Sequence, residues 1–112
     1  YKKALRIYRK TVGHASVETG EALNNMAHLL SDQGRYEEAI EKFEEAVAIE
    51  RGVVGDEHDK VACTLYNMAV CKERAGDAQG AVVCVMESHR IYKKMGISNG
   101  QAQAAAAMLE EL

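Results

Sequence analysis

The strongest constraint on this chain is that much of it is written twice. Shifted by 42 residues, the separation of Asn25 from Asn67, the sequence lays Val12 on Val54, Gly13 on Gly55, Leu23 on Leu65 and Met26 on Met68. Ala27 then falls on Ala69, Gly34 on Gly76, Ala39 on Ala81 and Ile49 on Ile91. Chance gives about two identities over such an overlap at ordinary composition. A unit that repeats in this way is one that cannot bury its apolar faces alone and must stack on a neighbour. The same shift places Ala4 on Ala46, Ile7 on Ile49 and Arg9 on Arg51, so the first residues read as the second half of an earlier copy.

Inside each copy the apolar residues recur in steps of three and four. Val17, Leu23, Met26, Ala27 and Leu30 form one such stripe, and Tyr36, Ala39, Ile40, Phe43, Ala46 and Val47 another. This spacing predicts two helices per copy. Gly34 and Gly76 stand where the first helix must end, since glycine closes a helix in the left-handed conformation at least steric cost. The turn that follows is too short for anything but an antiparallel return. Asp77 is the predicted cap of the helix after it, with Ser16 and Asp56 the cap candidates for the two first helices. The paired alanines, Ala27 with Ala39 and Ala69 with Ala81, are small residues placed where two helix backbones approach closely. A leucine at Ala39 is therefore expected to destabilise, whereas one at Ala105 in the tail is expected to be tolerated.

The fold class that follows is all-α, an α-α superhelix or solenoid of stacked antiparallel helix pairs. Residues 1–13 read as the second helix of a truncated repeat, 14–55 and 56–96 as full repeats, and 97–112 as a C-terminal packing helix. The alanine-rich stretch "GISNGQAQAAAAMLEEL" predicts that this last helix starts near Asn99 or Gly100.

With the pattern in place, the sequence resembles the tetratricopeptide repeat. The resemblance runs through Leu23, Met26, Ala27, Leu30, Gly34, Tyr36, Ala39, Phe43 and Ala46, and in the next copy through Leu65, Met68, Ala69, Gly76, Ala81 and Ile91. The 42-residue period, "LNNMA", "QGRYEEAI" and the connection "VVGDEHDKVA" make it look like the kinesin light chain subfamily. His58-Asp59 and Ser16-Val17 stand where that subfamily usually has a proline, and Lys72 and Ala78 replace the larger apolar residues Leu30 and Tyr36 of the preceding copy. The resemblance implies that the first helices line a concave groove holding extended peptides.

On those helices, the residues expected on the side away from the partner helix include Glu21, Asn24, Asn25 and His28, then Tyr66, Asn67 and Arg74. Asn25 and Asn67 are singled out, because an amide offers both donor and acceptor to a peptide backbone whatever its sequence. Tyr66 could present an aromatic wall to a ligand side chain. The alternative for asparagine is a helix residue satisfying its neighbours, and for tyrosine a place in the core.

Composition narrows the function classes. Hydrophobic residues at 47% with 28% charged residues suit an ordinary globular domain, and no apolar run approaches the roughly 20 residues of a membrane span. A net charge of -3 argues against nucleic-acid binding, although residues 1–10 and His89 to Lys94 are basic and Tyr36 to Glu50 acidic, so stripes on neighbouring helices can attract. Three cysteines, Cys63, Cys71 and Cys84, cannot all pair within the chain, which suits a reducing, cytoplasmic setting. Their spacing offers no metal site, no nucleophile, base and acid converge, and no glycine loop cradles a phosphate. The expectation is a protein or peptide partner and a scaffold rather than an enzyme. No cofactor, metal, small-molecule substrate, membrane or nucleic acid enters that reading. The competing expectation is a packed segment of a larger assembly with no peptide-binding activity of its own.

Overall fold

The computed structural model describes residues 17–55 and 57–111. Among them it contains five helices: α1 (Val17–Asp32), α2 (Tyr36–Val54), α3 (Asp59–Arg74), α4 (Ala78–Met95) and α5 (Gly100–Glu111). The expected half-copy at residues 1–13 and the cap candidates Ser16 and Asp56 lie outside the described residues.

The turns show how the repeat works at the level of single bonds. Gly34 takes φ 78° and Gly76 φ 90°, values that a side chain would strain. After α1, the Gly34 N–H donates to Ser31 O at 3.0 Å and the Arg35 N–H to Leu30 O at 2.9 Å. After α3, the Gly76 N–H donates to Glu73 O at 3.0 Å and the Asp77 N–H to Lys72 O at 2.8 Å. These residues correspond one for one under the 42-residue shift. Each pair of bonds satisfies two of the carbonyls a helix end leaves open, and the chain reverses over the three residues between the helices.

Helix starts are fixed by side chains. Asp77 Oδ1 accepts from the Gly80 N–H at 2.9 Å, as expected of it, and a Cβ at Gly80 would run into that carboxylate. Asn99 Oδ1 accepts from the Ala102 N–H at 2.7 Å at the head of α5. The cap of α3 is His58, whose Nδ1 accepts from the Lys60 N–H at 3.1 Å.

α1 packs along α2 and α3 along α4, with α3 also lying on α2 and α5 on α4, which makes an α-α superhelix of antiparallel pairs. Ala27, Ala39, Ala69 and Ala81 are all fully buried where these helices meet. Around them Phe43, Leu65, Met68, Val85 and Tyr92 join one continuous core that reaches Met108. Buried polar bonds cross the seams. Ser88 Oγ donates to Ala62 O at 2.7 Å between α4 and α3, and the Cys71 thiol donates to Tyr36 O at 3.7 Å between α3 and α2.

Two expectations change. Ala105 is fully buried, because Ala102, Ala105 and Met108 are the residues through which α5 meets the core. The small residues Ala102 and Ala105 let α5 come close, so a larger side chain at Ala105 must push against the core. The basic cluster near residue 90 also finds a different partner from the acids of α2: Arg90 and Lys94 pair with Glu57, in the α2–α3 connection, at 3.1 and 2.7 Å. Arg51 of α2 pairs instead with Glu87 of α4. Such pairs at the surface are screened by solvent and orient the helices more than they hold them.

Leucine at Ala39, Ala81 or Ala105 is expected to lower the unfolding free energy by about 1–3 kcal/mol through overpacking. Leucine at the exposed Ala107 should change it by less than about 0.5 kcal/mol. Urea titration of the four variants checks this, and equal tolerance at all four contradicts the close-packed alanine seams.

Candidate functional site

The first helices α1 and α3 are tied together by two side-chain contacts near their N-terminal halves. Asn24 Nδ2 donates to Thr64 Oγ1 at 2.9 Å, and Lys60 Nζ reaches Glu21 Oε1 at 3.2 Å. Beneath the first contact lies Glu50 of α2, only 2% exposed, whose Oε1 accepts from Thr64 Oγ1 at 2.7 Å. A chain of polar groups thus runs from α1 through α3 to α2. Glu50 also explains Gly20, a glycine inside α1: a Cβ there would stand 3.0 Å from Glu50 Cγ.

Above this chain the surface opens into a recess of about 280 Å³, lined by Glu21 and Asn24, by Glu50, by Asp59, Lys60 and Cys63, and by residues at the head of α5. Its electrostatics are set by desolvation of acids. Burial pushes the Glu50 carboxyl above its ordinary value of 4.5, and the Thr64 hydroxyl and the Lys60 charge offset this only in part. Burial also raises the Cys63 thiol, with Glu50 adding to the effect. Tyr92, at the back of the recess, is pushed up to about 12 by burial and by Cys63 and Asp59. Asn24 Oδ1 is buried there with no hydrogen-bond partner. Among the described residues no group of three or more His, Cys, Asp or Glu is arranged to hold a metal ion.

The residues expected to line a groove divide into two sets. Asn25 is exposed, and Asn67 is half-buried with its Nδ2 making a weak contact to Cys63 Sγ at 3.8 Å along its own helix. Arg74 is exposed in the last turn of α3. The others have internal partners. Asn24 spends its amide on Thr64, Glu21 pairs with Lys60, and Tyr66 is half-buried against the main core. His28 was expected to face away from α2, yet its ring meets Phe43 of α2 edge-on with centroids 5.5 Å apart. A histidine at the turn-facing end of α1 can cover the aromatic core residue of its partner helix, which removes its edge from solvent.

Glu50 and Thr64 were not foreseen. The signal was present in the repeat itself: the 42-residue shift lays Glu50 between Tyr8 and Tyr92, so one copy carries a carboxylate where the others carry tyrosine. Gly20, against Ala62 in the next copy, marks the same departure.

A family model described as Tetratricopeptide repeat matches residues 1–49 and 18–94. No curated protein matches the chain significantly.

The raised Glu50 carboxyl has a signed consequence for stability. The native state holds this proton more tightly than the unfolded chain, so native stability falls as pH climbs from the ordinary carboxylate value through the folded one. Lys60, His58 and Glu21 are the charged or titratable neighbours that act on it. Glu50→Gln keeps an acceptor for Thr64 and removes the charge. Its melting temperature relative to the native sequence is expected to be lowest in acid and to rise steadily toward neutral pH. A difference that stays flat with pH contradicts the buried-carboxylate reading.

Proposed function

Since the chain belongs to the tetratricopeptide repeat family, whose repeats are in general protein-interaction modules, we propose that it is a non-catalytic scaffold that holds an extended peptide or partner segment along the inner face formed by its first helices. The 42-residue period and the "LNNMA" and "QGRYEEAI" motifs support a place near the kinesin light chain subfamily, and the three free cysteines support a cytoplasmic setting. Among the described residues no helix is long and apolar enough to cross a membrane.

What carries the proposal is the contrast between neighbouring asparagines. Asn24 is committed to Thr64, whereas Asn25 is exposed and Asn67, one repeat later, keeps most of its amide hydrogen-bonding capacity. Asparagine is a poor helix former, and among the described residues Asn25 is exposed while Asn67 has only the weak contact to Cys63. An amide at each place can pair with the backbone of one extended strand.

A second reading has its own support. Val83 and Met86 are 65% and 54% exposed on α4, where the preceding copy has Glu41 and Glu44. An apolar outer face suits a segment packed within a larger assembly.

A displayed library of random linear peptides panned on the protein, followed by titration of a retained peptide, separates the two. Alanine at both Asn25 and Asn67 is expected to weaken binding about tenfold or more, at about 1 kcal/mol for each lost hydrogen bond. Helical content and melting temperature should be nearly unchanged, whereas Asn24→Ala should lower the melting temperature. Retained peptides that ignore the Asn25 and Asn67 changes but lose binding on Val83→Asp would favour the outer face instead.

A further inference from the structure

We infer that the recess over Glu50 is a cation subsite of the proposed groove, taking a lysine or arginine side chain of the bound peptide. This rests on the groove reading and adds to it a preferred side chain and its place.

Three acids and one base line the recess. Glu21 and Lys60 pair with each other at the rim, where their side chains are 56% and 40% exposed. Asp59 has the His58 imidazole against it, Nδ1 to Oδ1 at 2.8 Å, which leaves Glu50 as the acid with no basic side chain bonded to it. Glu50 is almost completely removed from water, yet the bonded donor on its carboxylate is a neutral hydroxyl. A buried carboxylate in that position is costly as an anion and gains most from a cation brought against it.

A second observation points the same way. Asn24 Oδ1 is a buried acceptor without a donor, held in place because the other end of the same amide is bonded to Thr64. Buried acceptors are rarely left unsatisfied. An alkylammonium or guanidinium group entering beside Glu50 would supply several N–H donors and a positive charge at once, which suits Asn24 Oδ1 and both carboxylates. An anion would find the Glu50 and Asp59 carboxylates against it. The ligating residues do not suit a metal ion. An organic cation is the chemistry that remains.

Position connects the recess with the groove. Asn24 precedes Asn25, and Cys63 lies one turn before Asn67 and touches its amide. A strand held by Asn25 and Asn67 therefore passes the mouth of the recess, and one of its side chains can enter. The departure of Glu50 from the tyrosine of the other copies makes this a property of one repeat and not of the stack as a whole.

The test uses two probes on the full chain. N-acetyl-lysine methylamide and N-acetyl-arginine methylamide, at millimolar concentration, are expected to shift the amide resonances of Asn24, Cys63 and Gln101, while the norleucine analogue leaves them in place. Peptides retained from a library degenerate at every position should be enriched in lysine or arginine at one position. That enrichment is expected to fall at least tenfold in Glu50→Gln, and also in Asp59→Lys, a change at a partly exposed rim residue that the fold should accept. Peptides retained without any basic preference, together with equal responses to all three small probes, overturn the cation subsite and leave the groove standing. Retention of no peptide at all overturns the groove, and with it a peptide side chain as the source of the cation.

Discussion

The helix pairs described in this protein depend on alanine at their crossings. Ala27 with Ala39 and Ala69 with Ala81 let the two helices of a pair approach until the larger residues on either side interlock, and Ala105 does the same for α5 against α4. Close approach then sets the rest. It fixes the reversal that Gly34 and Gly76 must make, it commits Phe43 and Tyr92 to the core, and it leaves one face of each pair to be covered by the next. A solenoid follows because no single pair encloses its own apolar surface.

The repeat is broken where the chemistry becomes specific. Asn24 and Glu50 stand where the next copy has Tyr66 and Tyr92, Thr64 bridges them, and Gly20 makes room for Glu50. Burying a carboxylate with one neutral donor costs stability that an apolar residue would not.

Much of the architecture was legible in the sequence, and the reason is local. Helix periodicity, the glycine stops, the Asp77 cap and the start of α5 depend on residues within a few positions of one another. The capping of α3 by His58 was less legible, since the acid Asp56 is the more usual residue for that role. Ala105 was misjudged because an alanine-rich helix gives no contrast between its buried and exposed sides. At the site, the exposure of Asn25 followed from its place on the helix, but the commitment of Asn24 to a hydroxyl 40 residues away did not. The contact of the exposed His28 ring with Phe43 was not legible for a similar reason: it is a contact between helices. Glu50 could have been found only by asking where the two copies disagree in kind.

Amide chemical-shift mapping with a retained peptide tests the interaction surface most directly. If the inner face is the binding surface, the largest shifts fall on α1 and α3, centred on Asn25, Cys63 and Asn67, with the outward-facing Glu38 and Val83 unmoved. Shifts gathered on Val83 and Met86, with Asn25 and Asn67 silent, would contradict it.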